Sequence, residues 1–478
     1  MNIQNKPTIY EINAPIFLNE IAIREQRAVT FASVPESEWD ALAEQGIDAV
    51  WFMGVWKRSP VARDMAKGEP WLKAALPDAR DEDLLGSAYS IQDYSVDDVL
   101  GGNEGLAIAR AELEKRGIGL VLDYVPNHVA IDHSWATEHP EYLLQGTAEE
   151  LEKAPSAFIQ VGDTVFAKAK DPNFEPWSDV LQINAFSAEL RQEVIRTLQT
   201  IAGMCDGVRC DMAMLMMNTI FTGTWGSRAC AVPDTDYWPQ IISGVRSVSP
   251  DFLFLAEVYW NKEEALLDQG FDLCYDKKLY DYLLEGTAHD INKHIHQPVL
   301  YQNHLLRFIE NHDEDRAASV YSFDKHTAAA VVMATLPGAH MYHEGEREGR
   351  KSHVPVHLGR RVDEVTDEAL KDFYTKLWAF TAAHPFTQAK WKPLKVSSGV
   401  LHRESHSLLG WSWTTETSCF IVCINYSAEA AHGRIPLERK EVIGATQIID
   451  GAIEPSKFLH GSRIKLDAWQ HVIIEVEK

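Results

Sequence analysis

The sequence has few basic residues, few cysteines and no long apolar run, and each shortage excludes a class of function. Lys and Arg total 45 against 70 Asp and Glu, which gives a net charge of −25. Nucleic acids and anionic membrane surfaces repel such a chain, so neither is expected as a partner. No apolar stretch approaches the length of a membrane-spanning helix. A neutral partner such as a sugar is compatible with this charge.

The six cysteines lack the regular spacing of a disulfide framework. Four of them lie inside apolar, strand-like runs, which is typical of reduced core residues. The first residues, MNIQNKPT, contain neither the cationic nor the apolar region of a secretory signal. We therefore expect a cytoplasmic protein, and the sequence leaves its oligomeric state open.

Helical and strand-like segments alternate along the first 385 residues. The helical segment ESEWDALAEQ ends before Gly46 and is followed by the apolar run IDAVWFMGVW. The same order recurs around Gly117, and again after Ser187, which we interpret as a helix N-cap. Runs that are apolar on both faces indicate a parallel sheet covered by helices. An open doubly wound sheet is the alternative, but no Gly-rich phosphate loop follows the first strand.

Eight strand candidates predict a closed (β/α)₈ TIM barrel, a fold of the α/β class. Residues 129–180 interrupt the alternation and predict a small domain inserted after the third strand, between barrel segments 1–128 and 181–385. From 386 to 478 the pattern becomes that of a C-terminal antiparallel β-sandwich, as in GVLHRESHSLLGWSWTTETSCFIVCINYS. The barrel candidates are TIYEINAPIF, IDAVWFMGVW, IGLVLDYV, CDGVRCD, FLFLAEVYW, FDLCYD, HLLRFIEN and AAAVVMATL.

Four of these runs end in polar residues, where a barrel of this kind has its active site. Arg209 and Asp211 point the same way, because side chains alternate along a strand. We expect the guanidinium to lower the pKa of Asp211 and keep it ionised, as a nucleophile requires. Glu257 follows bulky apolar residues, so burial should raise its pKa, which suits a general acid. Two carboxyls with pKa values pushed apart are what glycoside hydrolysis needs.

Each residue also has a purely structural interpretation. Arg209 and Asp211 could form a structural ion pair, and His128 and His312 could be ordinary hydrogen-bonded histidines. Asp123 precedes its loop and could anchor Arg209 under either interpretation. The agreement of four strand ends favours catalysis. A metal is not predicted among the histidines, because the residues His128, His133 and His139 lack a compact ligand spacing.

The four strand ends resemble, in order, the signature regions of the α-amylase family of glycoside hydrolases. The resemblance spans residues 80 to 350, approximately, and three further segments, GSAYSIQDY, LQIN and LPGAHMYHEGE, are similar to weaker family elements. One such segment alone would be weak evidence, whereas four in order are highly specific. The four are DYVPNH at 123–128, GVRCD at 207–211, the Glu that closes FLFLAE at 257, and NHD at 311–313.

The resemblance implies a retaining α-glycoside hydrolase acting on α-glucosidic bonds of malto-oligosaccharides or small α-glucosides. Asp211 would be the nucleophile that forms a covalent glycosyl-enzyme, and Glu257 would be the acid and then the base. Asp313 would bind sugar hydroxyls and stabilise the transition state. Retention implies that the carboxyls of Asp211 and Glu257 lie about 5–5.5 Å apart. The residues that would hold the same sugar are Tyr89, His128, Arg209 and His312.

Departures from the family pattern leave the exact substrate open. Met214 and Leu215 stand where endo-acting amylases often carry Lys-His, and we interpret them as core-packing residues. Ser90 follows the stacking Tyr89, where many exo-acting α-glucosidases have Asp. Asn127 could ligate a structural calcium, but no complete carboxylate cage is visible, so no cofactor is expected. The charged segment HEGEREGRK either shapes the cleft or is a solvated loop.

Two other functions remain as alternatives. A transglycosidase, meaning a glucanotransferase, isomerase or phosphorylase, would use the same carboxylates and differ in excluding water from the acceptor. A non-catalytic sugar-binding relative would typically have lost one of them. Because all three carboxylates are present, the hydrolase is favoured.

Overall fold

The computed structural model describes residues 7–384, 386, 389–397, 406–436, 442–457, 459–460 and 462–477. At its centre is a closed barrel of eight parallel strands, arranged around the barrel in the order of the chain. The predicted (β/α)₈ barrel is therefore confirmed. The barrel strands are Thr8–Asn13, Ala49–Met53, Gly119–Tyr124, Gly207–Cys210, Leu253–Ala256, Leu273–Tyr275, Leu305–Arg307 and Ala339–His343.

Helices cover the barrel, and their ends follow the sequence. The Ser187 hydroxyl accepts from the Leu190 amide at 3.2 Å and caps helix Ala188–Ala202, as predicted. Gly46 and Gly117 adopt left-handed φ angles of 73° and 74° just after helices Glu36–Glu44 and Gly102–Glu114. The other described helices are Ala14–Glu25, Pro60–Ala66, Pro70–Ala75, Trp135–Glu138, Ala148–Lys153, Asn218–Trp225, Tyr237–Arg246, Glu263–Asp268, Lys277–Leu284, Ala288–Ile295, Val299–Gln302, Ala317–Val320, Phe323–Thr335 and Glu368–Ala383.

One of the eight strand predictions is wrong in position, and another extends past the end of its strand. The run AAAVVMATL lies almost entirely in helix Phe323–Thr335, and the eighth strand is Ala339–His343 instead. Every residue from His326 to Thr335 is buried, so no polar face reveals the helical period. The end of TIYEINAPIF also belongs to a helix, which begins after Asn13 because that side chain accepts from the amide of the third residue beyond it.

Between the third and fourth barrel strands the chain leaves the barrel. Strands His128–Ala130 and Val180–Gln182 pair there in antiparallel fashion, and Phe158–Val161 forms a hairpin with Thr164–Ala167. We propose that residues 129–180 form the inserted domain expected at this place. A further antiparallel pair, Trp56–Arg58 with Ile91–Val96, lies in the connection after the second barrel strand.

The C-terminal part forms two antiparallel sheets, which confirms the predicted β-sandwich. Leu408 and Ile421 of one sheet and Ile464 and Leu466 of the other share one buried core. We retain residue 386 as its proposed boundary. Residues 1–6 of the predicted N-terminal segment and 387–388, 398–405, 437–441, 458, 461 and 478 of the predicted sandwich lie outside the described residues. The strands are Lys390–Pro393, Leu408–Thr414, Ser418–Asn425, His471–Glu477, Val442–Gln447 and Gly451–Ala452 in one sheet, and Ala431–Arg434, Arg463–Leu466 and Leu459–His460 in the other.

The cysteines and the helix lengths agree with the expectations from composition. All six cysteines are free thiols, and five of them are buried. Within the described ranges, every helix is too short or too polar to cross a membrane.

Candidate active site

The carboxyl ends of the barrel strands bring most of the predicted site residues together. Arg209, in the fourth strand, lies in register with Asp123 of the third strand. Asp211 and Glu257 directly follow Cys210 and Ala256, which are register partners in the fourth and fifth strands. The two carboxylates therefore start from adjacent positions on one rim of the barrel.

One guanidinium joins the carboxylates. The Arg209 side chain is fully buried, and its Nη1 donates to Asp211 Oδ1 at 3.0 Å and to Asp123 Oδ1 at 3.3 Å. Its Nη2 donates to Glu257 Oε2 at 2.7 Å and lies 3.8 Å from Asp313 Oδ2. The anchoring role suggested for Asp123 agrees with this geometry. One positive charge thus faces four carboxyl groups, so the cluster has an excess of acid.

Burial and charge separate the pKa values of the three candidate catalytic carboxyls. Burial raises the pKa of Glu257 to about 7 and that of Asp211 to about 6, in both cases against the charge of Arg209. Burial also acts to raise the pKa of Asp313, but the charge of His312 outweighs it and lowers that pKa to about 2. The expected rise at Glu257 is confirmed. The expected fall at Asp211 is wrong, because desolvation outweighs the guanidinium.

The two oxygens of Glu257 have different neighbours. Oε2 accepts from the Met212 amide at 2.7 Å as well as from Arg209, whereas Oε1 accepts from the Tyr259 hydroxyl at 2.7 Å. Oε1 is therefore the better place for a proton on Glu257, because it faces one hydroxyl, which can rotate, whereas Oε2 faces two fixed N–H donors. Sequence reasoning missed Tyr259, although its position two residues after Glu257 matches the alternation of an extended chain.

His312 connects Asp313 with the first strand. Its Nε2 lies 3.1 Å from Asp313 Oδ2 and 2.6 Å from the Tyr89 hydroxyl, while its Nδ1 bonds the buried carboxylate of Glu11. Burial acts to lower the pKa of His312, but the charges of Asp313 and Glu11 outweigh it and raise that pKa well above its usual range. The imidazolium thus stays charged between two carboxylates. Glu11 was also missed, and its only signal is a carboxylate inside the apolar run TIYEIN.

Tyr89 and His128 lie at different places around this cluster. The Tyr89 ring stacks on His312 with 5.4 Å between centroids, and the Arg209 guanidinium lies 5.2 Å from its ring centroid. His128 forms no hydrogen bond to the three carboxylates in the described part of the chain. Burial lowers the pKa of His128 to about 4, and its neutral ring lies 5.2 Å from that of Trp177. The structure therefore places Tyr89 within the charged cluster and His128 beside the ring of Trp177.

The position considered for calcium holds an amide instead. Gln182 Nε2 donates to the backbone oxygen of Asn127 at 2.8 Å and to its Oδ1 at 3.0 Å. The Asn127 side-chain oxygen is the atom that would be offered to a calcium ion. No group of three or more His, Cys, Asp or Glu in the described ranges could hold a metal ion. The residues around Asn127 therefore fit a hydrogen-bonded amide better than a cation.

A cleft of about 870 Å³ opens beside the carboxylates. It begins at Asp313 and Met212, and its walls carry the aromatic side chains of Trp177, Tyr259 and Trp260. Aromatic faces combined with convergent carboxylates are suited to a sugar, which presents an apolar ring face and hydroxyl edges.

The positions that depart from the family pattern lie in the interior. Met214 and Leu215 are buried, which confirms their interpretation as core residues. Ser90 is also buried and donates to the backbone oxygen of Asp179 at 3.0 Å. The solvated-loop interpretation of HEGEREGRK is wrong for most of the segment, because residues 343–346 and 349 are buried and only Lys351 is exposed. Within it, Glu346 accepts from the Tyr374 hydroxyl at 2.6 Å.

Comparisons with known proteins agree with this arrangement. The family model for the α-amylase catalytic domain matches residues 37–268. Alpha-amylase MalA of Haloarcula japonica is 24% identical over 446 residues, which cover 89% of this chain and 58% of the relative. Alpha-amylase 3 of Dictyoglomus thermophilum is 22% identical over 61% of this chain and 59% of the relative. The chain thus spans less than two thirds of the length of these curated relatives.

Solved structures share the fold. The maltogenic α-amylase AmyB of Thermotoga neapolitana has a TM-score of 0.71 and 19% identity, with full coverage of both chains. An α-amylase of Lactobacillus plantarum has a TM-score of 0.70 and 20% identity over 99% of each chain. At these identities the likeness concerns the fold.

Proposed function

The chain belongs to the α-amylase family of glycoside hydrolases, and on that premise we propose that it is a retaining α-glycoside hydrolase. Its substrates would be the α-glucosidic bonds of malto-oligosaccharides or small α-glucosides. One observation carries the proposal: Arg209 holds Asp211 and Glu257 together, and burial raises the pKa of Glu257 to about 7 and that of Asp211 to about 6. One carboxyl can thus hold a proton while the other is ionised, as this chemistry requires.

In the first step, an Asp211 carboxylate oxygen attacks the anomeric carbon and the glycosidic carbon–oxygen bond breaks. The proton on Glu257 Oε1 passes to the leaving oxygen. The fixed hydrogen bonds from Arg209 and the Met212 amide to Oε2 keep Oε1 as the donating atom. Asp313 is the one of the three carboxyls whose pKa is lowered, so it stays ionised and can stabilise the positive charge that develops on the sugar.

In the second step, the Glu257 carboxylate takes a proton from water, and the water oxygen displaces Asp211 from the anomeric carbon. The configuration is retained because two displacements occur in succession. Retention rests on the predicted carboxyl separation of about 5–5.5 Å. A short separation is supported by the binding of both carboxylates to one guanidinium. Tyr89, His128 and His312 are proposed to bind the reacting sugar.

The proposal is tested with purified protein on α-linked disaccharides, maltotriose and nitrophenyl α-glucosides. We expect the first-formed sugar to be the α anomer. Nuclear magnetic resonance spectra recorded before mutarotation identify the anomer. The Asp211→Ala variant should lose the activity. Absence of activity on every α-glucoside, or a β anomer as first product, would reject the proposal.

A transglycosidase using the same carboxylates is the second candidate. It is favoured by the large aromatic cleft that Tyr259 and Asp313 line, which offers room for an acceptor sugar in place of water. Incubation with maltotriose distinguishes the two functions. Hydrolysis releases only shorter sugars, whereas transfer also produces longer oligosaccharides.

A cytoplasmic location remains part of the proposal. It is supported by the six free cysteines, which are typical of a reducing compartment. Fractionation of the source cells, with the protein followed by antibody, tests it directly.

A further inference from the structure

Glu11 is a fully buried carboxyl in the first barrel strand, Thr8–Asn13. Its Oε1 bonds His312 Nδ1, and in the described part of the chain its side chain bonds no other residue. Its Oε2 is buried without a hydrogen-bond partner. Burying a carboxyl costs free energy that a single hydrogen bond offsets only in part. The presence of a carboxyl at this position therefore calls for an explanation, and His312 is the residue through which it acts.

His312 presents each of its ring nitrogens to a carboxylate. Nδ1 faces Glu11, while Nε2 lies 3.1 Å from Asp313 Oδ2 and 2.6 Å from the Tyr89 hydroxyl. A ring nitrogen without a hydrogen would repel a carboxylate oxygen at hydrogen-bond distance, because both atoms carry lone pairs. Each nitrogen therefore carries a hydrogen, and the ring is an imidazolium. Without Glu11, one hydrogen on Nε2 would satisfy Asp313, and the ring would no longer need its charge.

The charge of His312 acts on the carboxylate cluster. Arg209 faces four carboxyl groups with one positive charge. Burial raises the pKa of Asp211 to about 6, and the charges of Arg209 and, more weakly, His312 oppose this rise. At Asp313 burial acts in the same direction, but His312 outweighs it and lowers the pKa to about 2. A charged His312 is therefore the second cation that favours ionised carboxylates in the cluster.

Other ionisable groups face Glu11 and His312 from the neighbouring elements. In the described ranges none of them bonds a ring nitrogen of His312, and His353 Nε2 bonds its backbone oxygen instead, at 2.8 Å. Burial lowers the pKa of His343 well below its usual range, so that ring is neutral and does not compete for the charge of Glu11. The groups are Asp123, Asp211, Arg209, His343, His353 and Tyr275.

We propose that Glu11 is a positioning residue that keeps His312 protonated on both ring nitrogens and so supplies the carboxylate cluster with its second positive charge. This inference rests on the proposed function, because it concerns the ionisation of the proposed nucleophile. Glu11 contacts the ring at the nitrogen opposite the one beside Asp313, so it needs no contact with the sugar. The Tyr89 oxygen accepts from Nε2–H, which leaves the Tyr89 hydroxyl hydrogen for a sugar oxygen.

The first test is the pH dependence of kcat/KM for nitrophenyl α-glucoside in Glu11→Gln, which keeps the size of the side chain and removes its charge. Loss of the His312 charge raises the pKa of Asp211, so we expect the acid limb to move up by about one pH unit. From a wild-type value of about 6, this shift makes the loss of kcat/KM about fivefold greater at pH 5 than at pH 7. Removing the Glu11 charge alone would lower the pKa of Asp211, so an unchanged or lower acid limb would overturn the inference.

Two further variants separate charge from structure. Glu11→Asp keeps a carboxylate, so its acid limb should stay close to that of the wild type even if its rate falls. Glu344→Gln is the matched control, because buried Glu344 accepts from the Asn13 amide of the same strand at 3.2 Å and pairs with Arg361, not with His312. Its acid limb should not move. An equal shift in Glu344→Gln would make the effect a general one of buried charge and would contradict the role of Glu11.

A double-mutant cycle tests whether Glu11 acts through His312. In a His312→Gln background, Glu11→Gln should cause no further loss of kcat/KM, because the group that Glu11 positions is already absent. Losses that add in full would mean that Glu11 acts by another route, and the inference would fail.

Nuclear magnetic resonance of histidine labelled with ¹⁵N in the ring reads the protonation of His312 without turnover, and the His312→Gln spectrum assigns its signals. At pH 7 we expect hydrogens on both ring nitrogens in the wild type and on one in Glu11→Gln. A neutral His312 in the wild type would overturn the inference even if Glu11→Gln did not fold, and so would an imidazolium that persisted in a folded Glu11→Gln. If the wild type cleaved no α-glucoside while His312 still lost a hydrogen in Glu11→Gln, the proposed function would fail and the positioning role would stand.

Discussion

Two fully buried arginines on barrel strands have opposite surroundings. Arg209 faces an excess of carboxylates, with Asp211 and Glu257 both bound to it. Arg307, in the seventh strand, binds the single carboxylate of Asp276 through Nη1 at 2.7 Å. Its Nε donates to a backbone oxygen at 2.6 Å, and a neutral glutamine side chain accepts from its remaining nitrogen.

The two arginines differ in the pKa values of the carboxyl groups that they bind. Burial acts to raise the pKa of Asp276, but the charges of His294 and Arg307 outweigh it and lower that pKa. At Glu257 burial prevails and the pKa rises. A balanced buried ion pair thus fixes its charges and serves the structure. A cluster with too many carboxyls keeps a proton available, which is what catalysis needs.

The largest expected effect is at the acidic cluster. Asp211→Asn should reduce kcat by about 10⁴-fold or more, because the attacking oxygen is lost. The unfolding temperature should not fall, because the change reduces the excess of negative charge around Arg209. Initial rates on maltotriose and thermal unfolding measure the two effects. Activity within tenfold of the wild type would place the nucleophile elsewhere.

The reverse outcome is expected at the balanced pair. Asp276→Asn leaves the buried Arg307 without a countercharge and should lower the free energy of unfolding by about 3–5 kcal/mol. The rate per folded molecule should stay near that of the wild type, because Asp276 does not contact the carboxylate cluster. Urea unfolding and active-site titration measure these quantities. A stable but inactive Asp276→Asn variant would contradict the structural assignment.

Tyr259→Phe sharpens the comparison within the acidic cluster. Loss of the hydroxyl removes a donor to the Glu257 carboxylate, so the pKa of Glu257 should rise and the basic limb of the pH–rate profile should move to higher pH. We expect kcat/KM for maltotriose to fall about tenfold. The loss should be smaller for nitrophenyl α-glucoside, whose leaving group needs little protonation.

Tyr142→Phe is the control, since its hydroxyl has no hydrogen-bond partner in the described ranges. A uniform loss on both substrates with an unchanged pH profile would reduce Tyr259 to a packing residue.

The two regions should also differ in their response to pH. Activity should peak between about pH 6 and 7, because it requires Asp211 ionised and Glu257 protonated, with pKa values of about 6 and 7. The pKa of Asp276 is lowered, so its stabilising contribution is present above the unfolded pKa, about 3.9, and is lost only as pH falls through the folded value. The stability difference between wild type and Asp276→Asn should therefore be no smaller at pH 5 than at pH 7, because Asp276 stays ionised and its partner His294 can only gain positive charge. If this stability difference became smaller between pH 7 and pH 5, in parallel with the activity, the Arg209 cluster and the Arg307 pair would titrate together.

The smallest effect is expected from removing metal ions, which neither arginine cluster requires. Dialysis against a chelator should leave the unfolding temperature unchanged, because the Gln182 amide bonds the Asn127 side-chain oxygen that a cation would coordinate. Gln182→Leu should lower the free energy of unfolding by about 1–3 kcal/mol, since it removes the donor to the buried Asn127 Oδ1, whereas the Asn127 backbone oxygen still accepts from the Ile183 amide. Chelator sensitivity of the wild type would show that a cation contributes after all.

Some elements were predictable because their signal is local. The Ser187 cap, the glycines after two helices and the apolar strand runs depend on residues within one turn or one strand. The eighth strand was misplaced because helix Phe323–Thr335 is buried on all sides and has no polar face to reveal its period. An entirely apolar run does not distinguish a helix from a strand.

The sequence by itself determined which carboxylates end the barrel strands, because the alternation of side chains and the order of the runs place Asp211, Glu257 and Asp313 on one rim. Only the tertiary structure decided how these groups ionise. The pKa of Asp211 rises although Arg209 is its neighbour, since desolvation depends on every residue packed around it. For the same reason, Glu11 became visible as a partner of His312 only when the distant strands that carry the two residues closed into the barrel.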